Sequence, residues 1–391
     1  MKFFVKAAAA AALLSSVTAA PGMAVNKKGH VVKATTTTLE GQIIDWVVPE
    51  SQVSDGKIAT PPAPPAAPAK SRRALSPSSP SVSEMIARDP STQGPEGTVP
   101  ILRTSSNYTD HIVKTLPNAN KNAKRQYAGT HWYASSAQYI TNYGGKGTFS
   151  LFDAYTEEGS DFSLLQTAII HGSAQAAAGT VTQTAEAGWI NYPNQISPPH
   201  LFSYYTTDGY ASEGDNIGGW NTEYAGWVQT DSTIYPGIAF SPLSTDGGSQ
   251  YELEIGYYLT GGNWWLWCDG KYIGYYPASL YSNGASNAAE TLGTYSNEIN
   301  FYGEIYNSEN AETTTDMGSG EFPSAGFGKS AYIHNIVYID GSSVYQDYNG
   351  AAGQVVSDTS RYNYAPTWSS GTSWGSYFYI GGPGAGGQIG A

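Results

Sequence analysis

Short runs of alternating apolar and polar residues dominate the chain after residue 126. In Tyr251–Tyr257 the period is two, which places Glu252 and Glu254 on one face of a predicted strand. Clusters of Gly, Asn, Asp, Ser and Pro separate these runs, as turns separate strands. The clearest predicted strands are Gly147–Asp153, Pro199–Thr206, Gly237–Phe240, Tyr251–Tyr258, Trp264–Cys268, Tyr272–Tyr276, Asn300–Tyr306 and Ala331–Ile339.

The turn signals between these runs agree with an all-β fold. Asp269-Gly270 is a two-residue hairpin signal, and Gly144-Gly145 and Gly261–Asn263 predict further turns. Ser163–Ala178 is the one stretch with moderate helical character. Many short strands with regular turns predict a sandwich or a barrel in one large domain, residues 126–391.

The N-terminus has the pattern of a secretory signal peptide, residues 1–19. Lys2 and Lys6 supply positive charge, Ala7–Leu14 form a short apolar stretch, and small residues follow it. This apolar stretch is too short to span a bilayer, and no other stretch approaches 18 apolar residues. We therefore expect a secreted protein without a membrane anchor.

The region from residue 20 to 125 differs in composition from the rest. Residues 35–48 alternate loosely and predict one strand or a short helix. Residues 59–83 are rich in Pro, Ala and Ser, a composition that favours an extended linker. Asn107 begins the one Asn-x-Ser/Thr sequon, and Lys124-Arg125 forms a dibasic pair that is a candidate processing site.

The charge of the chain changes sign at this dibasic pair. Only 13% of the residues are charged, and the net charge is −13. Residues 1–125 hold 15 basic and 8 acidic residues, whereas residues 126–391 hold 4 basic and 24 acidic ones. Such asymmetry suggests two parts with different tasks. The acidic balance excludes a nucleic-acid binder, which needs clustered positive charge.

The candidate chemistry rests on carboxylates. The six histidines form no metal-binding spacing and Cys268 is the single cysteine, so we expect no metal and no cofactor. Glu186 and Glu304 stand out because each lies in an aromatic and glycine-rich strand-like run. Apolar surroundings disfavour the charged form of a carboxyl. Two close carboxyls can therefore divide into one acid and one base that together activate water.

Several motifs, in order along the chain, resemble the neprosin family of glutamic peptidases. They include AEAGWINYP (185–193), PHLFSYYTTDGY (199–210), GNWWLW (262–267), FYGEIYNS (301–308) and, in the front region, GQIIDWV (41–47). The resemblance covers roughly residues 40–350. In this family pattern Glu186 matches the first catalytic glutamate and Glu304 the second.

The sequence departs from the family pattern at two places. Phe301-Tyr302-Gly303 replaces the usual Trp-Gly-Gly before the second glutamate, so Glu298 is the alternative for that position. The cysteines of plant members are absent, which places the chain in a microbial or fungal branch.

The resemblance implies a fold and an activity. It implies an antiparallel β-sandwich and a secreted acid endopeptidase that cleaves mainly after proline. It also implies a zymogen, in which residues 20–125 form a propeptide that inhibits the enzyme intramolecularly. Its substrates would be peptides or proteins that contain proline, and we expect a monomer that binds neither nucleic acid nor membrane.

Further residues are candidates for contact with substrate. Trp189 and Trp264 are candidates for stacking on a proline ring. An oxyanion donor is also required, and Tyr204, Gln250 and Tyr302 are the candidates.

Two other functions are compatible with the same features. An aromatic-rich secreted β-sandwich can bind glycans, and a pair of glutamates can hydrolyse glycosidic bonds. Cleavage of a proline-containing protein at acid pH distinguishes the peptidase from both.

Overall fold

The computed structural model describes residues 24–65, 93–103, 114–117 and 129–386. The predicted signal peptide, most of the Pro-rich linker, the sequon at Asn107 and the dibasic pair Lys124-Arg125 lie outside these residues.

The described residues form twenty strands and one short α-helix, α1 (Ser279–Ser282). Short 3-10 turns lie at Pro49–Gln52, Ala288–Glu290 and Pro323–Ala325. The strands are β1 (Ala24–Val25), β2 (Val31–Thr37), β3 (Ile43–Val47), β4 (Val99–Leu102), β5 (Thr130–Asn142), β6 (Gly144–Ser150), β7 (Phe162–Ala176), β8 (Gly179–Tyr192), β9 (Ile196–Thr206), β10 (Gly218–Trp220), β11 (Val228–Gln229), β12 (Glu252–Thr260), β13 (Asn263–Cys268), β14 (Lys271–Pro277), β15 (Ser296–Asn307), β16 (Ala331–Ile339), β17 (Tyr345–Asp347), β18 (Val355–Val356), β19 (Asn363–Thr367) and β20 (Ser376–Gly381).

Two large antiparallel sheets form the body of the protein. One has the strand order β10-β9-β8-β7-β15-β5-β18, and the other has the order β11-β14-β13-β12-β6-β16-β20-β19 with β17 beside β16. Their inner faces share one apolar core, to which Leu165 and Trp189 contribute from the first sheet and Phe149 and Leu266 from the second. This arrangement confirms the predicted all-β antiparallel sandwich.

A third, four-stranded sheet is built from the front region in the order β1-β2-β3-β4. Residues 35–48, predicted as a strand or a short helix, form parts of β2 and β3. Ile44 and Trp46 are fully buried and belong to the same apolar cluster as the core of the body. Gln52 exchanges two hydrogen bonds with the backbone of Gln229, at 2.8 and 2.9 Å. The front sheet is therefore packed directly on the body.

The moderate helical character of Ser163–Ala178 does not correspond to a helix, because residues 163–176 lie in β7 and the last two residues form a turn. Leu164 and Leu165 point to opposite faces of the sheet, yet both are fully buried. A strand that is covered on both faces loses the alternation of apolar and polar residues and reads as a continuous apolar run. A continuous apolar run of this kind cannot be distinguished from a buried helix by its periodicity.

Most of the other predicted elements are confirmed. Ala331–Ile339 coincides with β16, and Asp269-Gly270 forms the tight turn between β13 and β14 with both residues at positive φ. The strand predicted at Gly237–Phe240 is wrong, since only Ala239 makes an isolated bridge there.

The turn predicted at Gly144-Gly145 is also wrong, because both glycines begin β6. At Gly145 a Cβ would lie 2.3 Å from the carbonyl oxygen of Val337 in the neighbouring strand. The glycine is thus required by the close approach of two strands rather than by a turn. Among the described residues, no helix is long and apolar enough to cross a membrane.

Replacing Leu165 with alanine tests the shared core. Leu165 is fully buried between the two large sheets, so we expect Leu165→Ala to lower the free energy of unfolding by about 3 kcal/mol. Urea unfolding followed by tryptophan fluorescence measures this change. Leu39→Ala is the control, because Leu39 is 85% exposed and its replacement should change stability by less than about 0.5 kcal/mol. Equal effects of the two substitutions would contradict the core assignment.

Candidate active site

Glu186 and Glu304 lie on one face of the seven-stranded sheet, with β7 between them. Glu186 of β8 pairs with Ala168 of β7, and Glu304 of β15 pairs with Leu164 of β7. Since residues two apart share a face, Gln166 projects from β7 between the two glutamates. The two glutamate backbones are therefore offset diagonally, by about 10 Å across two strand spacings and by about 13 Å along the four residues from Leu164 to Ala168. Gln166 lies midway on this diagonal.

Lys114 occupies the place between the two carboxylates. Its Nζ lies 2.9 Å from Oε2 of Glu186 and 3.3 Å from Oε2 of Glu304, and all three side chains are fully buried. The ammonium also donates a hydrogen bond to Oε1 of Gln166. Burial removes the two carboxylates from solvent, which makes their ionised forms unfavourable in free energy. A cation shared between them offsets this cost.

Aromatic rings surround this ammonium. The Nζ of Lys114 lies 5.1 Å from the ring centre of Phe202, 5.6 Å from that of Trp220 and 5.9 Å from that of Tyr302. These distances are those of cation–π contacts. The site is therefore an aromatic box with two carboxylates at one side.

Glu186 accepts hydrogen bonds from uncharged donors. Its Oε1 accepts from the hydroxyl of Thr184 at 2.8 Å and from that of Tyr210 at 2.7 Å. Its Oε2 accepts from Nε2 of Gln166 at 2.9 Å and from the hydroxyl of Tyr302 at 3.4 Å. Burial, with the nearby Glu186 carboxylate, raises the pKa of both tyrosines well above the usual range, so they stay protonated donors.

Glu304 has a different set of partners. Nδ1 of His131 donates to its Oε1 at 2.6 Å, and the hydroxyl of Tyr133 donates to the same oxygen at 3.3 Å. Burial acts to raise the pKa of Glu304, but the positive charge of Lys114 and the hydrogen bond from His131 outweigh it. The pKa of Glu304 therefore lies below its usual range.

Residues 114–117 are held over this site by contacts of their own. The hydroxyls of Thr115 and Tyr133 lie 2.6 Å apart, and the Tyr133 hydroxyl also bonds the carbonyl of Thr115 at 2.9 Å. Leu116 packs beside Tyr133 and Tyr302. Residues 114–117, the covering segment, thus bury the part of this face around the two glutamates, and the aromatic cluster that includes Phe202 and Trp220 buries the part around Leu164.

Only part of the predicted substrate-binding set lies at this site. Tyr204 pairs directly with Glu186 across β8 and β9, and Tyr302 bonds Glu186, so both share its face. Trp189 lies on the opposite face, where its indole bonds the carbonyl of Ser150 in the core. Trp264 is likewise buried in the core, on the other sheet. Gln250 bonds loop carbonyls beside the second sheet.

Trp189 and Trp264 are therefore structural residues, which corrects the expectation that they stack on substrate. The reason is parity: in a strand with period two, Trp189 points away from the face that Glu186 occupies. Glu298, the alternative second glutamate, lies six residues from Glu304 at the other end of β15, where it pairs with Ile170.

Sequence reasoning missed several residues of the site, namely Lys114, His131, Tyr133, Gln166, Thr184 and Tyr210. Thr184 could have been predicted, because it lies two residues before Glu186 and residues two apart in a strand share a face. Gln166 was not predicted, because the stretch that forms β7 had helical character in the sequence and its strand faces were therefore not assigned. Lys114 and His131 come from distant segments, and no spacing in the sequence ties them to either glutamate.

The described residues hold no cluster of three or more potential metal ligands. Cys268 is buried, and burial raises the pKa of its thiol well above the usual range, as expected for a core cysteine.

The fold and the site together define a class: an antiparallel β-sandwich with two facing buried glutamates on one sheet. Residues 159–383, more than half of the chain, match the model of the neprosin family, and the chain belongs to this family of glutamic peptidases. Its family makes it a hydrolase of peptide bonds.

The solved structures to which this chain has a low similarity include two peptidase complexes. Scytalido-glutamic peptidase with a transition state analog inhibitor is 8% identical with a TM-score of 0.34, and the match covers 64% of this chain and 97% of that one. SCP-B, of the eqolisin family, in complex with the tripeptide Ala-Ile-His is 6% identical with a TM-score of 0.29, over 64% and 96% of the two chains.

Replacing Lys114 with methionine tests the shared cation. At pH 7 we expect Lys114→Met to lower the free energy of unfolding by about 3 kcal/mol, because two buried carboxylates lose their partner. The loss should shrink at acid pH. Glu304 with its lowered pKa stabilises the fold above the ordinary carboxyl pKa of about 4.3, and this contribution disappears as the pH falls through the lowered value.

Urea unfolding is measured at pH 7 and at about pH 3.5, which is below the ordinary pKa of a glutamate side chain. The two measurements test both parts of this prediction. Lys329→Met is the control, because the ion pair between Lys329 and Asp246 is exposed on both sides and contributes little. A loss that is the same at both pH values would contradict the role of Lys114 as a counter-charge.

Proposed function

We propose that this protein is a secreted acid endopeptidase of the glutamic type, made as a zymogen, that cleaves mainly after proline by means of water activated between Glu186 and Glu304. The observation that carries the proposal is the single cation that contacts both buried carboxylates.

The position of this cation supports water activation. An ammonium group and a water molecule are similar in size, and both donate hydrogen bonds to carboxylates at about 3 Å. The point that Nζ of Lys114 occupies is within this distance of both glutamates. A water molecule in the same place, once Lys114 has left, would contact a base and an acid together.

The reaction balances with these two groups. One glutamate is ionised and takes a proton from water, and the oxygen of that water bonds to the carbonyl carbon of the substrate. The other glutamate is protonated and gives its proton to the amide nitrogen, after which the C–N bond breaks. One carboxyl has gained the proton that the other has lost, so proton exchange with solvent restores the pair.

The negative charge on the carbonyl oxygen requires a donor. Among the sequence candidates, Tyr302 is the one whose hydroxyl lies beside Glu186, and its raised pKa keeps it a donor. The Nε2 of Gln166 lies on the same face and is a second donor.

The aromatic box supports a preference for proline, which the family resemblance also implies. Phe202, Trp220 and Tyr302 lie around the ammonium of Lys114. Flat aromatic surfaces pack well against the compact pyrrolidine ring. In the open enzyme, we propose, a proline ring takes the place next to these rings.

The contacts of Lys114 support an inhibitory propeptide, because its side chain fills the place that water and substrate need. Protonation of the carboxylates at acid pH removes the attraction that holds the ammonium. Acid therefore releases the segment, and cleavage near Lys124-Arg125 or in the Pro-rich linker follows. Secretion is proposed from the signal-peptide pattern at residues 1–19.

Replacing either glutamate with glutamine tests the catalytic pair. After acid incubation of the full chain, Glu186→Gln and Glu304→Gln should each lower the rate of peptide cleavage by about 100-fold or more, because each removes a proton-transfer group. The substrate is a peptide with one proline, compared with the same peptide carrying alanine, and mass spectrometry locates the cut.

Glu298→Gln is the matched control on the same strand and should retain activity. Full activity in both Glu186→Gln and Glu304→Gln would refute the catalytic pair. Equal cleavage of the proline and alanine peptides would refute the preference for proline. An inactive wild-type chain would contradict the peptidase activity and favour glycan binding or glycoside hydrolysis instead.

Activation kinetics test the inhibitory role of Lys114. On transfer of the full chain to acid, the wild type should cleave peptide after a lag, and Lys114→Met should shorten this lag at least tenfold, which corresponds to about 1.4 kcal/mol. Lys57→Met, an exposed position in the same front region, should keep the wild-type lag. A mature form whose N-terminus lies before residue 100, or an unchanged lag, would contradict the mechanism.

A further inference from the structure

The two glutamates of the site are not equivalent. Apart from the shared Lys114, Glu186 receives its hydrogen bonds from hydroxyl and amide groups. Glu304 receives one from a histidine, at the short distance of 2.6 Å between Nδ1 of His131 and Oε1. An imidazole, unlike a hydroxyl or an amide, becomes a cation in acid.

The ring of His131 is fixed in this position. Its side chain is 10% exposed, and the ring centre lies 5.0 Å from that of Tyr306 and 5.9 Å from that of Phe162. Tyr133, two residues further along β5, pairs directly with Glu304 across the sheet. His131 therefore shares the face of Glu304 and reaches its carboxylate along the diagonal.

The difference between the donors of the two glutamates determines which one is ionised once Lys114 has left the site. Both glutamates then lose the same ammonium, but Glu304 keeps His131 and Glu186 keeps neutral donors. A hydrogen bond between a charged donor and a carboxylate is roughly twice as strong as one between neutral groups. The single negative charge of the pair is thus more stable on Glu304, and the shared proton on Glu186.

We propose that His131 is a positioning residue that keeps Glu304 ionised in the open enzyme, so that Glu304 is the general base and Glu186 the general acid. This inference rests on the proposed function. Glu304 takes the proton of the attacking water, and Glu186 gives its proton to the leaving nitrogen.

The charged and titratable groups that face Glu304 in the described residues are few. They are Lys114 from the covering segment, His131 and Tyr133 from β5, Tyr302 from its own strand and Glu186 beyond the ammonium. Burial and neighbouring carboxylates raise the pKa of both tyrosines, so they stay neutral in acid. With Lys114 gone, His131 is the one side chain in this set that can carry a positive charge.

The pH profile of the full chain after acid incubation tests the assignment. The acid limb of kcat/KM reports the ionisation of the base in the free enzyme. His131→Asn keeps a nitrogen donor near the position of Nδ1 but removes the cation. We expect this variant to move the acid limb up by about one pH unit, because a nearby opposite charge lowers a carboxyl pKa by roughly that amount or more.

His171→Asn is the matched control, since His171 lies on β7 with its ring against Tyr295, and neither of its ring nitrogens makes a hydrogen bond within the described residues. It should leave the profile unchanged. An acid limb that stays in place in His131→Asn, with activity lower at every pH, would reduce His131 to a structural residue. A shift of the alkaline limb instead would reverse the roles of the two glutamates.

A second measurement does not depend on activity. In the full chain with ¹³C-labelled glutamate carboxyls, the resonance that disappears in Glu304→Gln belongs to Glu304. We expect His131→Asn to raise its titration midpoint. If the chain cleaves no peptide, the proposed function fails while this titration still decides the role of His131. An unchanged midpoint in an active enzyme overturns the inference and leaves the proposed function intact.

Discussion

The site depends on one constraint, the burial of two carboxylates on the same face of one sheet. Without water, two such charges destabilise the folded protein unless a cation or a proton accompanies them. At neutral pH the cation is the ammonium of Lys114, which contacts Glu186 and Glu304 together. In acid a proton can replace it. The same constraint thus accounts for the closed site and for a proposed enzyme that opens in acid.

The architecture of the sandwich provides this face. Both large sheets pack their inner faces into one core, and Leu165 and Trp189 point there. The outer face of the seven-stranded sheet carries Glu186, Gln166 and Glu304 on three neighbouring strands. The covering segment and a cluster of aromatic side chains then bury this outer face as well. A single register fixes the core and the site, because a slip of one residue would exchange their side chains.

Lys114 and His131 contact the same pair of glutamates in different ways. Lys114 contacts both glutamates, and in the proposed mechanism its ammonium marks the place of the reacting water. His131 contacts Glu304 and so makes the pair asymmetric. A peptidase that uses two carboxyls needs both features, a common point of contact and a fixed direction of proton transfer.

The sequence by itself determined the all-β class, because alternation with period two and turn residues are local properties. It also singled out Glu186 and Glu304, since both lie in short motifs with the family resemblance. The tertiary structure decided what local pattern does not contain. Most of Ser163–Ala178 forms the strand β7, whose burial on both faces removes the alternation that would have predicted it. Trp189 points into the core because it lies an odd number of residues from Glu186 on the same strand. The tertiary structure also brought Lys114 and His131 to the glutamates, since contacts between distant segments depend on how the sheets and the covering segment pack.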